Sequence, residues 1–132
     1  MLRTFGEGGE IIVDGSALEV RKGGWLSGEW SLLHFAHPVL VAHKPSAFRR
    51  RFEFSGPAGS GVLEAISPFG RTMQLDAPGA QCRIVPAHIF TRRATIEGRF
   101  EDFRVVAFAF WLTALLWRRA ARSNNNAGGG AG

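Results

Sequence analysis

The sequence predicts a mainly β fold, an antiparallel β-barrel or highly curved meander sheet of about nine strands wrapped around one apolar C-terminal helix. Three observations predict it. The phrase Phe-x-Arg-x-apolar-polar-apolar recurs at a spacing of 21 residues, at 48–54, 69–75 and 90–96. Within each copy the apolar residues share one parity with the arginine, and period two is the signature of a half-buried strand. Gly and Pro cut the chain into short segments about 8 to 12 residues apart, the rhythm of an all-β barrel or sandwich. The run VVAFAFWLTALLW, residues 105–117, then carries no charge and no polar stripe.

The elements follow in order. Residues 10–14 and 17–21 read as strands joined through Asp14-Gly15, because Gly accepts the positive φ of a tight hairpin. Gly23-Gly24 breaks the pattern, and 29–35 and 39–44 supply two strands with a turn around His37-Pro38. The repeats predict strands at 47–55, 69–76 and 90–97, with further strands at 61–66 and 81–85 between them. A helix over about 103–121 closes the chain, with Glu101 and Asp102 at its positive end and Arg118, Arg119 and Arg122 at its negative end.

The 132 residues suit one domain, 1–122, and 45% apolar content with 20% charged residues is globular. Residues 123–132, SNNNAGGGAG, have no side chain that could pack and are expected to form a disordered tail. Net charge is +5, from fourteen Arg and two Lys against eleven acidic residues, which suits anionic partners without demanding them. A GC-rich genome is the alternative source of the arginines. The lone Cys82 excludes an intramolecular disulfide. The opening MLRTFGEGGEIIVDG has no apolar signal core, so the expected location is cytoplasmic, with peripheral membrane association through the arginines.

At 1.5 Å per residue the uncharged run spans about 20 Å, against about 30 Å for a bilayer core. Being apolar around its circumference, it reads as a helix enclosed by protein. The competing reading is a small tail-anchored membrane protein whose last helix inserts; against it, the arginines after the helix would have to cross the membrane.

Short antiparallel strands, ending at Ile96, followed by the apolar segment Phe103-Arg104-Val105-Val106-Ala107-Phe108-Ala109-Phe110-Trp111-Leu112 resemble the tubby-like barrel superfamily, which includes tubby, the LURP-one-related proteins and the phospholipid scramblases. The resemblance covers roughly residues 10–122. It implies a closed antiparallel barrel around a central hydrophobic helix, with Leu18, Val20, Phe48, Phe52, Phe54, Phe69, Met73, Leu75, Phe90 and Ile96 lining the sleeve. The chain departs from the family in showing about nine strands where the full barrel has twelve, and in lacking the acidic calcium-binding segment of scramblases. Lipid scrambling is therefore not implied.

Arg50, Arg71 and Arg92 share one repeat position and are expected at a similar height near one rim. Arg49, Arg51 and Arg93 extend them into a patch for a phosphoinositide headgroup, phosphate or carboxylate. The alternative is that each arginine pairs with a carboxylate or with helix carbonyls while its stem covers apolar surface. His34 and His37 have a three-residue spacing that would suit a metal on a helix, but they fall in a strand and the turn around Pro38, and with His43 and His88 elsewhere no metal site is expected; Cys82 reads as a buried, inert thiol. There is no phosphate loop, dinucleotide fingerprint, zincin helix or nucleophile elbow. Nucleic acid is disfavoured because the aromatics follow core parity. The expected function is a non-enzymatic binding or scaffold domain, without cofactor or metal, whose partners are anionic membrane lipids or an acidic protein.

Overall fold

The computed structural model describes residues 2–5, 8–13, 15–23, 28–46, 49–67, 70–86 and 94–131, with backbone alone for 2–5 and 123–131. Among the described residues ten strands precede one helix: β1 Leu2–Phe5, β2 Gly8–Val13, β3 Ser16–Lys22, β4 Glu29–His34, β5 His37–His43, β6 Arg51–Gly56, β7 Gly59–Ala65, β8 Met73–Ala77, β9 Ala80–Pro86, β10 Ala94–Phe100 and α1 Phe103–Ala131. Each strand pairs antiparallel with its neighbour in the chain, so strand order across the sheet is chain order. Among the described residues β1 and β10 are paired on one edge only, and the sheet is a curved, open meander instead of a closed barrel.

The expected nine strands are present, and β1 is a tenth. Its sequence, LRTF, is too short to display an alternation. The turn expected at His37-Pro38 lies two residues earlier, at Phe35-Ala36, where both residues take positive φ (50° and 65°). That is the backbone a two-residue hairpin of matching twist requires, here adopted without glycine.

Alternation sorts the strands as the sequence predicts. Phe52, Leu63, Leu75 and Cys82 lie in register across β6 to β9, all facing inward and at most 5% exposed. The inward face continues through Ile11, Leu18, Val20, Trp30 and Leu32 on β2 to β4. Phe48, Phe69 and Phe90, also expected to line the sleeve, lie outside the described residues. Two glycines set how tightly neighbouring strands approach. A Cβ on Gly61 would strike Ala77, and one on Gly98, whose φ is +134°, would strike the Gln81 carbonyl and Cys82. Close backbone approach of this kind is what glycine permits in a curved sheet.

The helix fills the concave face. Val106, Phe108, Ala109, Leu112 and Thr113 are fully buried, and Trp111 and Leu115 are 2% exposed. Burial of each large side chain contributes about 1.5–3 kcal/mol. The Thr113 hydroxyl donates to the Ala109 carbonyl at 2.8 Å, which satisfies it within the helix. The Trp111 indole N–H is buried without an acceptor among the described residues. Phe110 and Ala114 are half-buried, so one flank of the helix is less completely covered.

Both ends of the buried segment are fastened to the ends of β8. At the entrance, Asp102 accepts from the Arg104 backbone N–H at 3.0 Å as an N-cap. The Glu101 and Asp102 amides donate to the Gly79 carbonyl in the β8–β9 turn, at 2.7 and 3.2 Å. At the far end the Trp117 indole donates to the Arg71 carbonyl just ahead of β8, at 3.0 Å. From 102 to 117 a helix rises about 22 Å, and from 71 to 79 a strand spans about 26 Å, so helix and strand match in length.

The helix does not stop at 121. It runs to Ala131, through the segment expected to be a disordered tail. Once a helix is nucleated each further residue adds one hydrogen bond, so a well-anchored helix can extend through weak formers. No helix is long and apolar enough to cross a membrane among the described residues.

Because Leu112 is fully enclosed, Leu112→Ala should cost about 2–5 kcal/mol in urea unfolding followed by tryptophan fluorescence. Leu112→Asp should leave no cooperative transition, since the charge would be buried without a partner.

Candidate functional site

Antiparallel order brings the ends of β3, β5, β7 and β9 and the starts of β4, β6, β8 and β10 to one end of the sheet. The helix enters from the other end and leaves here. Lys22 closes β3, Lys44 follows β5, Arg49 and Arg50 precede β6, and Arg71 precedes β8. Arg118, Arg119 and Arg122 follow directly on the buried segment of the helix. Among the described residues the carboxylates nearest this end are Glu29, first in β4, and Glu64, which is tied to Arg51 at 2.9 Å.

Two tryptophans support the cations. Trp30 is 1% exposed, with the Lys22 ammonium 5.6 Å and the Arg119 guanidinium 5.4 Å from its ring centroid. The Arg71 guanidinium lies 4.6 Å from the Trp117 ring centroid. Cations at these distances are drawn to the negative face of the indole, worth about 0.5–1 kcal/mol where exposed. Lys44 is held by its backbone, donating to the Gly28 carbonyl at 2.7 Å, and by its ammonium, which donates to the Ser46 carbonyl at 2.5 Å. Partial burial, and then the charge of Arg119, lower its pKa from the usual 10.5.

The arginines singled out in the sequence have distinct settings. Arg50 and Arg71 are expected within strands on the apolar face, but both precede their strands, β6 starting at Arg51 and β8 at Met73. Arg50 reaches into the loop before β8 and donates to the Ser67 and Gly70 carbonyls at 2.6 and 2.5 Å. Its carbonyl accepts from the Ala65 amide at 3.0 Å, so Arg50 ties β6, β7 and the next loop together. Arg51 lies on the outer face between Glu64 and Glu53, the latter at 3.6 Å. Arg49 is exposed, and Arg92 and Arg93 lie outside the described residues.

Lys22, Lys44, Arg118, Arg119 and Arg122 complete the rim, and the sequence pattern assigns none of them to it. In the sequence the helix arginines read as partners for the helix dipole. The place of Arg119 beside Trp30 and Lys44 depends on which strand ends surround the helix exit.

A groove of about 680 Å³ lies elsewhere, on the outer face of β5 to β9, lined by His43, Glu53, Ser60, Asp76 and Gln81 among others. Its two carboxylates give it the opposite electrostatic character. No group of three or more His, Cys, Asp or Glu could hold a metal ion among the described residues. Cys82 is buried, and burial pushes its thiol pKa up, away from nucleophilic chemistry. Comparison with protein families, curated proteins and solved structures found no match to this chain.

Arg50→Gln should destabilise the domain by about 1–3 kcal/mol in urea titration, because two loop carbonyls lose a charged donor. Arg119→Gln should raise the Lys44 pKa, read from its side-chain resonances by NMR. In the folded chain Lys44 releases its proton below 10.5. Between its folded pKa and that value the unfolded chain binds more protons, so Lys44's contribution to stability rises with pH across this window. The window should narrow in Arg119→Gln.

Proposed function

We propose that this domain is a non-enzymatic binding module that associates peripherally with anionic membrane surfaces through the basic rim at the helix exit. The observation that carries the reading is the convergence of Lys22 and Arg119 on the Trp30 ring, with Lys44 close enough to Arg119 for the two like charges to feel each other. A polyanionic surface placed against this end meets several cations at once.

A surface suits the rim better than a small phosphate. The cations are spread around an emerging helix on several strand ends and helix positions, so many separate anionic headgroups can be met at once. Each Lys or Arg near an anionic leaflet contributes about 1 kcal/mol, screened within a Debye length. The buried indoles of Trp30 and Trp117 hold Lys22, Arg119 and Arg71 in place from beneath. Arg50 and Arg71 hold loops and helix in place, and Lys22, Lys44, Arg119 and Arg122 present charge. The resemblance to the tubby-like superfamily rests on the sequence pattern of short antiparallel strands followed by an apolar helix. Membrane association through the rim does not require it.

Titration with phosphatidylcholine vesicles, with and without phosphatidylserine, tests the proposal. Binding should need the anionic lipid and weaken as salt is added. The variant combining Lys22→Gln, Lys44→Gln, Arg119→Gln and Arg122→Gln should lose about a hundredfold or more in affinity while keeping its circular dichroism spectrum. Equal binding to both vesicle types, or unchanged binding by a folded variant, rejects it.

A further inference from the structure

β10 is an edge strand whose sequence is complementary to itself. Among the described residues it pairs with β9 alone, over seven positions from Ala94↔Pro86 to Phe100↔Ala80. The other edge of a strand is a row of unpaired N–H and C=O groups, and proteins usually protect such edges. Here the chain reads Ile96-Glu97-Gly98-Arg99-Phe100, an apolar residue and a charge on each side of a central glycine, with the two charges opposite in sign. Phe100 is 43% exposed and Phe103, whose ring centroid lies 5.8 Å away, is 46% exposed, so an apolar patch accompanies the open edge. Neither Glu97 nor Arg99 forms an ion pair among the described residues; Glu97 faces Arg83 and Arg99 faces Gln81 in the ladder to β9.

We infer that β10 is the interface of a homodimer, pairing antiparallel with β10 of a second copy about a two-fold axis at Gly98. The register follows from the charges. Centred on Gly98, Glu97 of each copy meets Arg99 of the other, twice over, on the outer face. On the inner face Ile96 meets Phe100, also twice. Centred on Glu97 or on Arg99, the axis would set like charges directly opposite, which is destabilising. Gly98 meets Gly98 at the axis, where the absence of side chains allows close approach. A two-fold contact of this kind is closed, so it ends at two copies.

The dimer is independent of the proposed membrane role, since it uses the free edge of β10 and none of the rim cations. Charge reversal provides the test, because Glu97 and Arg99 are exposed and their replacement leaves the core intact. In sedimentation velocity the wild-type chain should be dimeric. Glu97→Arg sets two arginines face to face at both charged pairs, and Arg99→Glu does the same with two glutamates, so each variant should self-associate at least about tenfold more weakly. Mixed one to one, the two variants restore both opposite-charge pairs and should form a heterodimer. Circular dichroism checks that each variant is folded. If either is not, the milder Glu97→Gln/Arg99→Gln pair should still weaken the dimer, and amide exchange in 95–100 should be slower in the wild-type dimer than in this variant. A monomeric wild type, single variants that remain fully dimeric, a mixture that does not associate, or open-ended polymers would overturn the inference.

Discussion

A helix with no polar face cannot rest on a surface, because whichever side it turns outward exposes apolar area to water. Residues 105–117 impose that condition on the whole domain, and the meander is the solution: strands wound far enough around one axis to cover nearly the full circumference of the rod. Curvature, the inward row from Phe52 to Cys82 and the strand crowding at Gly61 and Gly98 are all consequences. The Asp102 and Gly79 contacts at one end and the Trp117 bond to Arg71 at the other fix the axial position of the helix. A small axial shift would put different side chains against the same pockets and break these contacts together.

The same arrangement separates charge. Where the helix enters, Asp102 caps it and pairs with Arg104 at 3.3 Å. Where it leaves, lysines and arginines from strands and helix share a narrow perimeter. If two copies join at β10 about the proposed axis, strand direction reverses between them and their basic ends point in opposite directions. Such a dimer would present charge at both extremities, a shape suited to joining two anionic surfaces and unsuited to lying with both rims on one.

Much of the fold is legible in the sequence because period-two alternation is a local signal. Phe52 and Phe54, Met73 and Leu75, and Leu18 and Val20 announce their strands without knowledge of any neighbour. β1 escapes notice because four residues are too few to show a period, and the Phe35-Ala36 turn because neither residue usually signals positive φ. The end of the helix is misplaced because Asn and Gly are weak formers, a propensity outweighed by anchoring upstream. The alternation of Phe52 and Phe54, extended one step too far, puts Arg50 on a strand. Its guanidinium belongs with loop carbonyls, and that pairing spans seventeen and twenty residues. The wider rim is illegible for a related reason: Lys22, Lys44 and Arg119 meet only after three-dimensional closure, and no spacing in the chain records it.

The helix comes after every described strand, which constrains how the domain can be made. As the polypeptide leaves the ribosome, hairpins between neighbouring strands can form early, since their contacts are local. The inward faces carrying Phe52, Leu63 and Leu75 then have nothing to close over until residues 103–117 emerge. Nascent chains therefore pass through a stage of greasy, half-finished sheet, the species on which chaperones act and from which aggregation starts. Arrival of the rod ends that stage in one cooperative step, so the interval between synthesis of β10 and release of the helix is the domain's most vulnerable period.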